Sequence, residues 1–254
     1  MAASDWPTHL WIIRHGQSAG NVARDDAELA GVELIDLATR DADVPLSDLG
    51  LQQSAALARW FEELPQEQRP EFLFVSPFVR ARQTCEAVAR ALDLDADSVR
   101  VDERLREKEF GVLDRFTRHG IHRRFPELAE QRKLVGKFYF RPPGGESWCD
   151  VVLRLRSLLE MLRRDAGQRR VAIVAHQVIV NCFRYLLEGL DEQRLLAIDR
   201  QGDVPNCGIT EYRCEHGNGA GQASMRLVKA NLTLPLDRAA TPVTRASDQP
   251  GGPR

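Results

Sequence analysis

Two short apolar runs, each ending in a histidine, constrain the fold of this chain more than any other feature. The first, LWII at residues 10–13, leads directly into Arg14 and His15, and the second, VAIVA at residues 171–175, is followed by His176. Apolar, β-branched runs of this length are typical of strands buried in a parallel sheet. Open α/β sheets place their ligand sites at the carboxyl ends of such strands. We therefore expect both histidines at one sheet edge, although each alone could simply cap its strand.

Further strand and helix signals predict an α/β fold with three layers, in which a mostly parallel sheet carries helices on both faces. FLFV at residues 72–75 is another buried strand, and a short strand is expected over residues 99–101. Two closing strands, near residues 208–214 and 225–228, allow an antiparallel edge. Apolar residues at helical spacing separate the strands, as in the stripe along residues 151–162.

The chain is expected to form one domain over residues 1–234, followed by a disordered tail over residues 235–254. The tail is rich in Pro, Gly, Ser, Thr and Ala and has no apolar periodicity. Residues 1–7 are expected to form a loose leader.

Two charged segments lie outside the predicted strands, and the second of them is expected to cover the edge of the sheet. Residues 20–44 are acidic, and we interpret them as a helix or long loop with a solvated surface. Residues 112–145, the cap segment, read as an insertion with eight Lys and Arg residues, three acids and five aromatic residues. This cap segment either suits an anionic substrate with a flat or apolar part, or forms a solvated basic face over a small satellite core.

The composition is that of an ordinary soluble globular protein: the 254 residues are 43% hydrophobic and 28% charged, with a net charge of −2. This balance favours neither nucleic acid nor an anionic membrane as a partner, and no apolar run is long enough to span a bilayer. The first residues do not resemble a secretory signal. The five cysteines are odd in number and form no C-x-x-C pair, which predicts a cytoplasmic protein without disulfides or structural zinc.

A basic residue lies at the start of the helix expected after the strand over residues 72–75. Ser76 and Pro77 form a helix-start signal, with Ser76 as N-cap and Pro77 at the first helical position. Arg80 then falls in the first turn, where unpaired N–H groups and the helix dipole favour an anion. Arg82 points to a different face and fits an exposed role. The position of Arg80 therefore indicates an anion-binding side chain.

These residues resemble the histidine phosphatase superfamily, also called the phosphoglycerate mutase-like family. Arg14, His15 and Gly16, followed by Asn21, are similar to its RHG motif. Four further blocks occur in the family's order: PLSDLGLQQ at 45–53, SPFVRARQT at 76–84, LREKEFG at 105–111 and VAHQ at 174–177. The RHG motif alone is weakly specific, whereas the five blocks together are specific. The resemblance covers roughly residues 8–215.

The resemblance implies a phosphohistidine mechanism centred on His15. In the family, the histidine of the RHG motif is the nucleophile, and the adjacent arginine, here Arg14, binds the phosphoryl group. Arg80 matches the arginine of the family's S-x-x-x-R-A-x-Q-T block, which binds the same group, and His176 adds a third donor. Two guanidinium groups disfavour protonation of His15, and their planar forks match phosphate oxygens better than lysine would.

The resemblance also implies a proton donor at the glutamate of an L-x-E block, which matches Glu107. Glu109 is the alternative if the register shifts by two residues. The leaving alkoxide needs a proton, which Glu107 would give before it takes one from the attacking water. Asn21 and Gln177 are expected to hydrogen-bond the phosphate or the substrate. Gln177 replaces the glycine of many members and resembles the fructose-2,6-bisphosphatase branch.

Together these residues predict a phosphomonoesterase that hydrolyses a small-molecule phosphate ester through a phosphohistidine, without a cofactor or a metal. Two alternatives stay open: phosphoglycerate mutase-type transfer, and a non-catalytic module that binds phosphorylated ligands. A zinc hydrolase is disfavoured because His119 and His122 form an H-x-x-H pair without an evident third ligand, so activity is expected to survive EDTA. The sequence leaves the physiological substrate and the oligomeric state open.

Overall fold

The computed structural model describes residues 6–215 and 223–245. Its centre is a six-stranded sheet. The strands are β1 (His9–Arg14), β2 (Phe72–Val75), β3 (Val99–Val101), β4 (Arg170–Ala175), β5 (Ile209–Glu215) and β6 (Ser224–Leu232). They lie in the order β3-β2-β4-β1-β5-β6, in which the first four are parallel and β5 and β6 form an antiparallel edge. The prediction of a mostly parallel sheet is confirmed.

The two strands that end in histidines are neighbours in this sheet. β1 and β4 pair in parallel, with Arg14 opposite Ala175. The next residues, His15 and His176, therefore leave the same sheet edge side by side. The backbone N–H of His15 donates to the Ala175 carbonyl at 3.0 Å, which extends the ladder one residue beyond the strand.

Helices cover both faces of the sheet. They are α1 (Ala19–Leu29), α2 (Asp48–Glu63), α3 (Val79–Ala91), α4 (Arg118–Arg124), α5 (Pro126–Val135), α6 (Trp148–Asp165), α7 (Gln177–Leu187), α8 (Glu192–Gln201) and α9 (Leu234–Arg238). Successive residues of a strand point to opposite faces, so β1 contributes to two cores. Leu10 and Ile12 pack with α6 and α7, whereas Trp11 and Ile13 pack with α2 and α3. The three predicted layers are confirmed.

The start of α3 differs from the prediction. Its N-cap is Phe78, two residues later than the Ser76-Pro77 signal indicates. The Ser76 Oγ accepts from the Phe78 N–H at 3.3 Å and also contacts His176, with 2.7 Å between Oγ and Nε2, so one side chain links the start of α3 to His176. Arg80 nevertheless lies in the first turn of α3, as predicted.

The predicted disordered tail is wrong for residues 235–245. α9 packs against α2, and Leu236 is fully buried in the core on that side of the sheet. Full burial of a leucine side chain stabilises a fold by about 1.5–3 kcal/mol, so one such contact can hold a segment whose composition resembles a tail. Beyond α9, the Thr244 carbonyl accepts a hydrogen bond from the Asn206 N–H at 2.9 Å. Residues 246–254 lie outside the described part of the chain.

The last two residues of the predicted leader are packed against the fold. Trp6 contacts Arg163 of α6, with 5.1 Å between the guanidinium carbon and the ring centroid. The Trp6 carbonyl also accepts a hydrogen bond from the Gln168 N–H at 2.9 Å. The expectation of a loose leader therefore does not hold for residues 6 and 7, and residues 1–5 lie outside the described part.

The cap segment folds as α4 and α5 with connecting turns. Leu113, Ile121 and Phe140 form a small separate core, which is the satellite core that the sequence allowed. Several hydrogen bonds join the cap segment to the connection that follows α1. The Ile35 N–H donates to the Arg115 carbonyl at 2.8 Å, and the Thr117 N–H donates to the Glu33 carbonyl at 3.1 Å. The cap segment and the acidic segment are therefore in contact with each other.

Candidate active site

His15 is the centre of the site and is fully buried. Its Nδ1 lies 2.6 Å from the Gly16 carbonyl oxygen, and its Nε2 lies 3.2 Å from Nε of Arg80. A carbonyl oxygen accepts and an arginine N–H donates, so Nδ1 carries the proton and Nε2 presents its lone pair. This hydrogen-bond pattern fits a neutral imidazole whose Nε2 lone pair faces Arg80.

The turn after His15 depends on the absence of a side chain at Gly16. A Cβ atom there would lie 2.6 Å from the Gly50 carbonyl oxygen and 2.9 Å from Oγ of Ser54. The backbone therefore packs directly against α2, an approach that only a glycine allows here. The Gly16 N–H also donates to Oγ1 of Thr84 at 3.1 Å, which fastens the turn to α3.

Arg80 is buried, and its guanidinium contacts two groups at once. While Nε faces His15, the terminal nitrogens pair with the Asp41 carboxylate, Nη1 with Oδ1 and Nη2 with Oδ2, each at 3.0 Å. The Phe78 ring supports the guanidinium, with 5.0 Å from its centroid to Cζ. Arginine binds phosphate with the same pair of parallel bonds. Asp41 therefore occupies the face of Arg80 that a phosphoryl group would use.

A turn at residues 203–206 holds two further predicted residues. Arg14 is fully buried, and its Nη1 donates to the Val204 carbonyl at 2.6 Å. Gln177, the first residue of α7, donates from Nε2 to Oδ1 of Asp203 at 2.6 Å. The turn thus fixes the orientation of both side chains.

His176 lies beside His15, with 5.1 Å between the ring centroids and 65° between the ring planes. Its Nε2 contacts Oγ of Ser76 at 2.7 Å, and the Phe78 ring packs edge-on at 5.0 Å. His176 is also the N-cap of α7. A helix N-terminus favours an anion, so this end of α7 adds to the attraction that Arg14 and Arg80 exert on an anionic ligand.

Asn21 contributes to the site through a carboxamide of fixed orientation. Its Oδ1 accepts from the Ser18 N–H at 3.0 Å and from Nδ2 of Asn206 at 3.4 Å. Both contacts use the oxygen, and together they fix the orientation of the carboxamide. Nδ2 of Asn206 also donates to the His15 carbonyl at 3.1 Å, which links Asn21 to His15.

An open cleft, here called the entrance cleft, leads to these groups. Its lining includes Ser18, Asn21, Arg24, Asp41, Arg80 and Phe110. Arg24 is buried and lies one turn after Asn21 on α1. With Arg80 and Arg115 the lining carries three arginines, against the two carboxylates of Asp41 and Asp114. The cleft is therefore suited to an anionic ligand.

Of the two candidate proton donors, Glu107 is the buried one. It is 1% exposed, whereas the side chain of Glu109 is 51% exposed and faces Arg106 at 3.7 Å. Oε1 of Glu107 accepts a hydrogen bond from the Lys108 N–H at 2.7 Å, which orients the carboxyl group. Burial favours Glu107, and its role as proton donor stays a prediction.

The described ranges, 6–215 and 223–245, lack the features of several other kinds of site. They contain no group of three or more His, Cys, Asp or Glu side chains that could hold a metal ion. None of their helices has the length and apolar character needed to cross a membrane. Burial raises the pKa of the Cys85 and Cys207 thiols to about 12, so both thiols are protonated at neutral pH and unsuited to nucleophilic attack.

Comparison with known proteins identifies the family. The sequence profile described as "Histidine phosphatase superfamily (branch 1)" matches residues 10–224. This chain belongs to the histidine phosphatase superfamily. The RHG turn, Arg80 and His176 all fall within the matched range, so the resemblance seen in the sequence is confirmed at the level of the family.

Relatives of this histidine phosphatase carry different named activities. A 6-phosphofructo-2-kinase/fructose-2,6-bisphosphatase from Caenorhabditis elegans is 32% identical over 177 residues, which cover 69% of this chain and 33% of the relative. The phosphoglycerate mutase-like protein AT74H from Arabidopsis thaliana is 30% identical over 181 residues, which cover 68% of this chain and 57% of the relative. The chain therefore spans less than two thirds of the length of these two relatives.

A solved histidine phosphatase structure has the same fold. A mycobacterial glucosyl-3-phosphoglycerate phosphatase superposes with a TM-score of 0.67 at 26% identity, covering 88% of this chain and 98% of that one. The predicted α/β architecture is thus confirmed by comparison as well as by the sheet topology.

Three side chains that hold the histidine phosphatase site together were missed by the sequence analysis. Asp41 lies in the acidic stretch that was interpreted as solvated surface, and Ser76 was assigned to a helix cap. Asn206 precedes a closing strand and carries no local signal. Each of the three binds a partner at least 39 positions away in the chain, so no short motif contains both members of a pair.

Replacing Asp41 with asparagine is expected to strengthen the binding of inorganic phosphate. The Asp41 side chain is 42% exposed, and a pair of this kind contributes about 0.2–1 kcal/mol. Removing its charge lowers the competition for the guanidinium, while the Asp41 carbonyl still accepts from Nη1 of Arg80 at 2.6 Å. The dissociation constant should therefore fall by a factor of about 1.4 to 5. Isothermal titration calorimetry with inorganic phosphate measures this change.

Asp43→Asn is the matched control for this prediction. Asp43 pairs with the exposed Arg40 at 2.6 Å, so its replacement removes the same charge from the same segment without touching Arg80. Weaker phosphate binding in Asp41→Asn would mean that Asp41 orients Arg80 for the ligand instead of competing with it.

Proposed function

We propose that this histidine phosphatase hydrolyses phosphate monoesters of small molecules through a phosphohistidine on Nε2 of His15. The observation that carries the proposal is the 3.2 Å contact between this nitrogen and Nε of Arg80. The neutral imidazole of His15 directs the lone pair of Nε2 toward the guanidinium group of Arg80. A phosphoryl group bound by that side chain lies where the nitrogen can attack it.

In the first half of the reaction, Nε2 of His15 attacks phosphorus in line with the ester oxygen. The P–N bond forms as the P–O bond to the alcohol breaks. Arg14, Arg80 and His176 hold the non-bridging oxygens and stabilise their charge. The carboxyl group of Glu107 gives its proton to the leaving oxygen and becomes a carboxylate.

In the second half, water attacks phosphorus from the side that the alcohol has left. The Glu107 carboxylate takes a proton from this water, and the P–N bond breaks to release inorganic phosphate. The hydrogen bond from Nδ1 of His15 to the Gly16 carbonyl keeps the same nitrogen available throughout. Both reacting groups return to their starting protonation states.

A basic pocket under the cap segment supports a substrate with a second anionic group. Three cationic side chains line it, Lys108, Arg132 and Lys137. Its apolar walls are Phe110, Leu113, Ile121, Phe140, Pro142 and Trp148. Because Phe110 also lines the entrance cleft, a single ligand can reach both spaces.

The charge balance of this basic pocket also favours an anion. Asp199 pairs with Lys137, and the residues that line the pocket are three cations and apolar side chains. Burial lowers the pKa of Lys108 to about 8, since desolvation disfavours its charged form, and a bound anion would oppose that shift. A sugar phosphate with a further phosphate or carboxylate fits this chemistry, and the name of the C. elegans relative specifies such a bisphosphate.

The proposal is tested by phosphate release from matched pairs of sugar phosphates, with and without a second phosphate, in buffer that contains EDTA. We expect release of inorganic phosphate, with a higher kcat/KM for the member that carries two phosphates. Transfer of the phosphoryl group to another hydroxyl would favour mutase-type chemistry, and binding without turnover would favour a non-catalytic module. Loss of activity in EDTA that a divalent metal restores would contradict the metal-free route.

A further inference from the structure

We infer that the segment after α9, residues 239–245, is part of the active-site scaffold, and that Thr244 is a positioning residue for His15 and Asn21. The inference rests on the proposed function, because it assigns the segment a role in holding the reactive histidine. It concerns a stretch that the composition of the sequence marks as disordered.

Asn206 connects this segment to the site and is fully buried. Its Nδ2 donates to the His15 carbonyl at 3.1 Å and to Oδ1 of Asn21 at 3.4 Å. Its Oδ1 accepts from Oγ1 of Thr244 at 2.9 Å, and its backbone N–H donates to the Thr244 carbonyl at 2.9 Å. With the carboxamide oxygen held by the threonine hydroxyl, the nitrogen is directed toward the two site residues.

The Thr244 hydroxyl is in turn held by α2. Nε2 of Gln53 donates to Oγ1 of Thr244 at 3.0 Å and to the Pro242 carbonyl at 2.8 Å. Oε1 of the same side chain accepts from the Gln17 N–H at 2.8 Å. Since the hydroxyl accepts from Gln53, its own proton is directed to Asn206. A chain of hydrogen bonds therefore joins the RHG turn, α2 and the C-terminal segment.

The backbone next to Asn206 is strained, so contacts from another segment are needed to hold it in place. Cys207 has a φ of +53°, in the left-handed region that residues other than glycine rarely adopt. Its N–H donates to the carbonyls of Arg14 at 3.0 Å and His15 at 3.2 Å. Such a conformation persists only when several surrounding contacts hold the backbone in it. The two hydrogen bonds between Thr244 and Asn206, the residue before Cys207, are contacts of this kind.

The test replaces Thr244 with valine, which keeps the shape and removes the hydroxyl, and with serine, which keeps the hydroxyl. Displacements of about 1 Å at a reacting centre cost up to about 100-fold in rate, so we expect Thr244→Val to lower kcat roughly ten- to hundredfold with KM changed less than about threefold. Thr244→Ser should stay within about threefold of the wild type. Thr244→Ala repeats the test if the valine variant does not fold.

Thr233→Val is the matched control. The Thr233 hydroxyl makes a bond of the same length, 2.9 Å, to Asp237 in α9, away from Asn206. Its replacement should leave kcat unchanged. An equal fall of kcat in Thr233→Val and Thr244→Val, or a valine variant with wild-type kcat, would overturn the inference.

A second readout does not need turnover. In ¹⁵N-labelled protein, we expect Thr244→Val to shift the ring resonances of His15 and leave those of the exposed His119 unchanged. A wild type that releases no phosphate would contradict the proposed function, and these resonances would still test the positioning role. Unshifted His15 resonances would overturn that role even if the enzyme proved active.

Discussion

His15→Ala is expected to lower kcat/KM for phosphate release by at least about 10⁴-fold, which corresponds to about 5.5 kcal/mol of lost transition-state stabilisation. The substitution removes Nε2, the nitrogen whose lone pair is directed at Arg80. Without a covalent nucleophile, water must attack the phosphate ester directly. Arg14, Arg80 and His176 still bind and position the phosphoryl group, but this restores only part of the wild-type rate. Steady-state phosphate release measures the change.

Trapping of the intermediate makes this prediction more specific. Acid quenching destroys a phosphohistidine, so intact mass spectrometry after quenching at neutral or alkaline pH should show one added phosphoryl group in the wild type and none in His15→Ala. His119→Ala on α4 is the control, since His119 is exposed and its loss should change the rate less than about twofold. Retention of more than a hundredth of the activity in His15→Ala would place the nucleophile elsewhere.

Glu107→Gln is expected to lower kcat for alkyl phosphates by about 10²- to 10⁴-fold, the usual contribution of general acid–base catalysis. Glutamine keeps the size of the buried side chain and its contact to the Lys108 N–H, but it cannot supply an acidic proton. An aryl phosphate such as p-nitrophenyl phosphate leaves without that proton. The variant should therefore give a burst of one phenolate per enzyme, followed by slow turnover as the phosphohistidine accumulates.

Glu109→Gln separates the two candidate donors. Glu109 is half-exposed and faces Arg106, so its replacement should change kcat less than about threefold. A larger loss in Glu109→Gln than in Glu107→Gln would reverse the assignment. The rate of the first turnover in Glu107→Gln can be compared for alkyl and aryl esters. An equal decrease in this rate for both would show that Glu107 does not protonate the leaving group. Stopped-flow absorbance for the aryl ester and rapid quench for the alkyl ester measure both cases.

The sheet edge that carries His15 and His176 could be predicted because its signals are local. A run of buried apolar residues specifies a strand, and the first polar residue after the run must lie at the strand's end. Arg80 was predictable for a similar reason, since a helix that follows a strand brings its first turn to the same edge. The shift of the N-cap from Ser76 to Phe78 did not alter this result.

The contacts that orient these groups could not be predicted, because their partners are far apart in the chain. Asp41 contacts Arg80 from a different segment, and Ser76 contacts His176 across 100 positions. The order of residues 235–245 was missed because composition is a poor guide where one buried side chain, Leu236, secures a segment. The composition of a segment does not show that one of its residues is buried, whereas the packing of the segment depends on that residue.

The sequence by itself determined the α/β architecture, the family and the residues that meet at the sheet edge, since periodicity and short motifs act within a few positions of the chain. The tertiary structure decided which nitrogen of His15 carries its proton, because the Gly16 carbonyl and Arg80 are placed around the ring by folding. It also decided that the C-terminal segment reaches the site through Asn206. Such orientation depends on hydrogen bonds between distant segments, which become neighbours only when the sheet and its helices have packed.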